Sequence, residues 1–318
     1  MSPMLEVRNL RIALVEKGFV KREIVKGVNL RVDPGQIVCL VGESGSGKSL
    51  TGYSLMNLMP SDNLRVTNGN VFFNGRDILI LSGDDLRKLR GSEIFLIPQD
   101  PLTSLNPVLT IEKQIAEMYQ YHTGEKFAEI KTRCRELLEM VNIDNAGARL
   151  KAYPHQLSGG QRQRVLIAMA MALSPSLIIA DEPTTALDVS VQWGVLELFL
   201  KLKTEKGVGF LFITHDFGVV KAVADYIYVM YGGKILEEGT CEEIFSDPRH
   251  PYTQGLIKAV PSIDSVPQTP LAAIAGYALE SSYTCPFYER CDKASEDCKE
   301  DFQYKYLSDS HGVLCRKA

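Results

Sequence analysis

Residues 42–49 read Gly-Glu-Ser-Gly-Ser-Gly-Lys-Ser and follow the apolar run Gln36 to Val41. They fit the pattern G-x-x-x-x-G-K-[S/T]. Few eight-residue stretches restrict a fold as tightly. The glycines let the backbone wrap closely, so that its N–H groups point at phosphate oxygens, and a helix that follows adds its positive N-terminal end. Such a loop works only between a strand and a helix. The sequence supplies both: a short strand ending at Val41 and a helix from Lys48 towards Leu58. The chain is therefore expected to be an α/β protein with a P-loop. Gly42, Glu43, Ser44, Gly45, Ser46, Gly47, Lys48, Ser49, Leu50 and Thr51 are the expected nucleotide contacts. Lys48 would reach the β- and γ-phosphates, and the Ser49 hydroxyl would ligate Mg²⁺.

The rest of the chain fits an α/β core. Leu5 to Arg31 alternates apolar and charged residues and predicts two strands joined by a loop near Glu16 to Lys21. Leu86 to Asp100 reads as turn-rich, apart from a short strand Glu93 to Pro98. Phe127, Ile130, Cys134, Leu137, Leu138 and Val141 recur at spacings of three and four and make one helical face. Leu177 to Ala180 is an apolar strand, Val191 to Lys203 a helix and Phe210 to Thr214 a strand. That alternation predicts a mostly parallel sheet. Tyr226 to Met230 and Lys234 to Glu238, separated by Gly232 and Gly233, predict a hairpin. After Asp247 prolines recur, and Pro261 to Pro270 reads as a linker. Two parts are expected: residues 1–260 as the nucleotide-binding domain and residues 261–318 as a small extension.

Composition excludes some functions. The net charge of −4 gives no footprint for nucleic acid. No apolar run approaches the roughly 20 residues that cross a bilayer, and the opening MSPMLEVRNL lacks the form of a signal peptide. The expected place is the cytoplasmic face of a membrane, as a peripheral subunit. Of the seven cysteines, Cys39, Cys134 and Cys241 read as buried small apolar residues. Cys285, Cys291, Cys298 and Cys315 crowd into the last tenth of the chain. In a cytosolic protein such a cluster argues for metal rather than disulfides.

A second motif narrows the class. Leu157-Ser-Gly-Gly-Gln161 follows Pro154-His-Gln, and Leu177-Ile-Ile-Ala-Asp181-Glu182 ends an apolar strand in two carboxylates. Ala186-Leu-Asp188 and the strand end at His215 come next. With the P-loop, these five features in this order resemble the ATP-binding subunits of ABC transporters. The resemblance implies a core parallel sheet, an antiparallel β subdomain and an α-helical signature subdomain.

It also implies roles. Asp181 holds Mg²⁺, and Glu182 polarises the attacking water, a task worth about 10²–10⁴ in rate. Gln99 is a second contact to Mg²⁺ and water, although Pro98 stands before it where relatives usually have Phe. His215 contacts the γ-phosphate, and Asp188 acts across a dimer interface. Phe19 is a candidate to stack on adenine, with its register against relatives unsettled. Ser158, Gly159, Gly160 and Gln161 would face the nucleotide held by a partner cassette, so a second ATPase subunit is part of the mechanism.

Gln99-Asp-Pro-Leu-Thr-Ser-Leu-Asn-Pro107 and Arg249-His-Pro-Tyr-Thr-Gln-Gly-Leu256 resemble the oligopeptide, dipeptide and nickel importers of that family. This implies import of peptides, with nickel or oligosaccharide import as the alternative; an exporter or a non-transport ABC ATPase fits less well. It implies a sister ATPase, two transmembrane permease subunits and an extracytoplasmic binding protein. The four tail cysteines lack the paired C-x2-C spacing of most structural zinc sites. They suit a [4Fe–4S] cluster, with zinc or free thiols left open and His311 not needed as a ligand.

Overall fold

The computed structural model describes residues 2–185, 187–260, 274, 276 and 283–318, and for Leu102 and Ala128 the backbone alone. Two compact units divide the chain: residues 1–79 with 213–318, and residues 80–212. The expected linker, Pro261 to Pro270, lies outside the described residues.

In the first unit the opening alternation makes an antiparallel hairpin of strands Leu5–Glu16 and Phe19–Val32. The connection needs only Lys17 and Gly18, both at positive φ. Strand Leu64–Phe73 pairs along the other side of Leu5–Glu16, and Leu5, Val7, Leu10 and Ile12 are no more than 1% exposed. Each such side chain contributes about 1.5–3 kcal/mol.

The same unit holds the strand Ile37–Val41, buried at all five positions and parallel to Tyr226–Tyr231. The predicted hairpin follows, with Tyr226–Tyr231 antiparallel to Lys234–Thr240 around Gly232 and Gly233. The tail then joins this sheet through its main chain. Gly312–Val313 pairs with Lys234–Thr240, and Lys305–Tyr306 pairs with Gly312–Val313.

In the second unit, strand Ile94–Ile97 runs parallel to Leu177–Asp181, which lies next to Gly209–Thr214. Helices Ile111–Thr123, Phe127–Met140 and Gly159–Met171 pack together. Phe127–Met140 buries the predicted face through Ile130, Cys134, Leu137 and Leu138. Its C-terminal end is closed by Arg164, whose guanidinium donates to the Val141 carbonyl at 2.8 Å, a cation at the negative end of a helix.

Three local expectations change. The stretch expected to be turn-rich begins inside a helix, Gly83–Ser92, because Ser82 caps it and Leu86 and Leu89 give it a buried side among charged neighbours. The helix after the P-loop stops at Ser54 rather than Leu58. Cys241 is half-buried at the start of helix Cys241–Ser246, whereas Cys39 and Cys134 are buried as expected.

Candidate functional site

The P-loop leaves strand Ile37–Val41 in a register that sets Val41 opposite Val229. Gly42 therefore meets the next residue of the partner strand. A Cβ on Gly42 would lie 2.0 Å from the Met230 carbonyl oxygen, at a φ of 151° that L side chains rarely adopt. Only glycine allows this approach. The loop then closes on itself. Lys48 Nζ donates to the Gly42 carbonyl at 2.8 Å and to the Glu43 carbonyl at 2.9 Å, with Lys48 only 5% exposed. Ser46 Oγ is buried and has no hydrogen-bond partner among the described residues. A buried ammonium and an orphaned hydroxyl in one glycine-rich loop at a helix N-terminus fit a polyphosphate.

Two residues hold this loop from far along the chain, and neither was expected from the sequence. The Tyr252 hydroxyl accepts the Glu43 N–H at 2.8 Å. The Arg290 guanidinium donates to both Glu43 carboxylate oxygens, at 2.7 and 3.1 Å. Tyr252 belongs to the segment Arg249 to Leu256, which the sequence marked only as a family resemblance. His250 orients it: its Nδ1 accepts the Tyr252 N–H at 3.0 Å, and burial pushes the imidazole pKa down to about 3. Buried Glu237 accepts the N–H groups of Arg249 and His250 and also meets His311 Nε2 at 2.8 Å. His311 is thus engaged elsewhere than with the cysteines.

The second unit carries the carboxylate edge. Parallel pairing sets Ile97 opposite Ala180. Two residues further on, the strands deliver Gln99 and Glu182 to the same C-terminal edge, where ligands of such sheets bind. Gln99 Nε2 donates to Glu182 Oε2 at 2.9 Å, and the Thr185 hydroxyl donates to the same oxygen at 3.0 Å. Glu182 has φ 46°, uncommon for a residue with a side chain. Such strain is typically about 1–3 kcal/mol and clusters at functional sites. Asp181 ends the strand and is 2% exposed. Thr185 escaped the sequence reading; its place three residues after a strand-end carboxylate is the signal that could have found it.

The signature residues form a helix start. The Ser158 hydroxyl accepts the Gln161 N–H, and Gln161 Oε1 accepts the Ser158 N–H, a reciprocal capping box opening Gly159–Met171. Gly160 is required by packing: a Cβ there would lie 2.3 Å from Val191 Cγ1. Asp188 caps the helix Val189–Lys206, accepting from Ser190 Oγ and the Val191 N–H, which hold its carboxyl below the usual range. His215 follows strand Gly209–Thr214 at an exposed position in the first unit. Phe19 starts a strand at the hairpin turn and is 80% exposed.

In the tail, Cys285, Cys291, Cys298 and Cys315 line one small cavity, with His250 beside them. Burial, then the neighbouring cysteines, push the Cys285 thiol up to about 12. Among the described residues no three His, Cys, Asp or Glu side chains converge closely enough to hold one metal ion.

Comparison with known proteins agrees with this geometry. Residues 25–185 match the family model described as "ABC transporter", and residues 236–298 match "Oligopeptide/dipeptide transporter, C-terminal region". The chain is 41% identical to the dipeptide transport ATP-binding protein DppD of Bacillus subtilis, covering 99% of this chain and 95% of that one. It is 45% identical to the oligopeptide transport ATP-binding protein OppD of the same organism, covering 88% and 82%. It is 51% identical to the peptidoglycan transport ATP-binding protein YejF of Agrobacterium fabrum, covering 82% of this chain and 47% of that one. Among solved structures, the ATP-binding cassette MJ0796 in a dimeric, post-hydrolysis state with ADP and Pi superposes with a TM-score of 0.66 at 29% identity, over 75% of this chain and 99% of that one. A phosphate-cradling loop, a carboxylate edge and a capped signature helix all fall within or beside the matched residues, and the chain belongs to the ABC transporter family of ATP-binding subunits, in its oligopeptide/dipeptide group.

Proposed function

We propose that this chain hydrolyses MgATP to drive import of di- and oligopeptides through a membrane complex. The observation that carries the catalytic part is the bond between Gln99 and Glu182, supported by Thr185. A general base must be held within hydrogen-bond reach of the water it activates, and these two donors fix the carboxylate in one orientation. Glu182 orients the water and takes its proton. Gln99 positions the base, and its amide oxygen would meet Mg²⁺ together with Ser49 and Asp181. The metal supplies charge neutralisation on the phosphates when bound. Lys48 and the loop from Gly42 to Thr51 bind the phosphates, and His215 senses the γ-phosphate.

Ser158, Gly159, Gly160 and Gln161 complete the site of a second cassette. The N-terminal end of helix Gly159–Met171 suits that anion. Relatives named as dipeptide and oligopeptide transport proteins support the substrate class. A sister ATPase, two permease subunits and an extracytoplasmic binding protein are the proposed partners, with this subunit on the cytoplasmic face. Among the described residues no helix is long and apolar enough to cross a membrane.

For the tail we propose a [4Fe–4S] cluster held by Cys285, Cys291, Cys298 and Cys315. In a tetrahedral zinc site the sulfurs lie ~3.8 Å apart, given Zn–S of about 2.3 Å. A cluster takes one thiolate per iron and spreads them around a larger body. Four cysteines lining one cavity, spaced without the paired C-x2-C of most structural zinc sites, are the support for this reading. Protein purified without oxygen should contain iron and acid-labile sulfide; stoichiometric zinc without iron would overturn this assignment.

The test of the ATPase reading is Glu182→Gln. MgATP binding should survive, and turnover should fall by about 10²–10⁴. Hydrolysis within threefold of wild type would remove Glu182 from its role.

A further inference from the structure

Glu43 sets an electrostatic problem at the heart of the P-loop. It is the second residue of a loop built to receive a polyphosphate, and it brings a negative charge to that anion site. The molecule holds Glu43 at three points. Its N–H donates to the Tyr252 hydroxyl, its carbonyl accepts from Lys48 Nζ, and its carboxylate takes both arms of Arg290. The Arg290 side chain is 7% exposed, and that of Glu43 is 29% exposed. Arg290 also donates to the Tyr231 hydroxyl at 3.2 Å and to the Ile274 carbonyl at 3.2 Å, and lies over the rings of Tyr231 and Phe287. Its position is therefore set by packing and does not depend on Glu43 alone. Arg290 ends the short helical turn Tyr288–Arg290 and directly precedes Cys291, so the cysteine-bearing tail delivers it.

From this geometry we infer that Arg290 is a positioning residue for nucleotide binding: by pairing with Glu43 it neutralises the carboxylate of the P-loop and turns it away from the incoming phosphates. A planar guanidinium suits this task, because its fork matches both carboxylate oxygens. The bond is shielded on the arginine side and so is poorly screened by water and salt. Removing Arg290 leaves an unpaired carboxylate beside a site for a highly charged anion. Like charges brought together there weaken binding of the anion, while the machinery around Glu182 is untouched. The tail would then serve the ATP site through one ion pair. The proposal rests on the P-loop taking MgATP.

The test is a double-mutant cycle on the full-length subunit, read by equilibrium binding of a fluorescent MgATP analogue. Arg290→Ala should weaken binding about tenfold. Arg290→Lys, which keeps the charge but not the fork, should fall between Arg290→Ala and wild type. Glu43→Gln added to Arg290→Ala should recover most of the loss, measured against Glu43→Gln alone. Recovery separates electrostatics from packing, since a purely structural Arg290 would leave the double variant as weak as the single one. That result, or a folded Arg290→Ala variant binding as wild type does, would overturn the proposal. A wild-type subunit that fails to bind the analogue would instead sink the nucleotide reading, and this proposal with it.

Discussion

The P-loop and the carboxylate edge solve the same problem by different means. At the carboxylate edge, two neighbouring parallel strands place Gln99 and Glu182 by register, and Thr185 comes from the turn that follows. At the P-loop, the backbone shape is local, but its braces come from Tyr252 and Arg290, 209 and 247 residues away. One site is fixed by strand pairing and the other by long-range side chains from the C-terminal third. The difference predicts different failures. Damage to the edge should slow chemistry with binding intact. Damage to the braces should weaken binding with chemistry intact.

Thr185→Val probes the edge with the largest expected effect among these variants. It removes one hydrogen bond to a charged oxygen and keeps the side-chain shape, and such bonds are worth about 1.5–3 kcal/mol. We expect kcat to drop about tenfold or more at unchanged KM for MgATP in steady-state assays. A change in KM alone would erase the distinction between the two regions. Tyr252→Phe probes the braces. It leaves the Glu43 N–H without its acceptor, a loss of about 1 kcal/mol or more. KM should rise several-fold while kcat stays within about twofold; a fall in kcat alone would count against the braces acting through binding. The smallest effect belongs to the signature helix. Ser158→Ala removes half of a capping box, about 1 kcal/mol, and should lower the melting temperature by about 2–4 °C in a calorimetric scan. An unchanged melting temperature would mean that the cap contributes nothing to stability.

The edge was readable from sequence because its signals are short. An apolar strand ending in Asp181 and Glu182 announces its own carboxylates, and a P-loop announces its glycines. Periodicity found helix Phe127–Met140 through Ile130, Cys134, Leu137 and Leu138, since those side chains face one core. It missed helix Gly83–Ser92, where only Leu86 and Leu89 are buried on one side of a charged sequence. Arg290 and Tyr252 were not readable as braces. Nothing local distinguishes an arginine before a cysteine, or a tyrosine after a proline, from its surface counterparts. Their role exists only once the tail pairs with Lys234–Thr240 and the hairpin sets Tyr231 beside them. Glu237 shows the same principle: one buried carboxylate joins the neighbours Arg249 and His250 to His311, which lies far along the chain from both.

The division of labour between edge and braces can be measured on two variants side by side. Glu182→Gln and Arg290→Ala would each be assayed for equilibrium MgATP binding and for single-turnover hydrolysis at saturating nucleotide, in the proposed complex with a second ATPase and permease subunits. We expect Glu182→Gln to bind as tightly as wild type and to hydrolyse about 10²–10⁴ times more slowly. We expect Arg290→Ala to bind about tenfold more weakly and, once saturated, to hydrolyse within about twofold of wild type. Equal losses of binding and hydrolysis in both variants would contradict the assignment of chemistry to Glu182 and of nucleotide grip to the brace on Glu43.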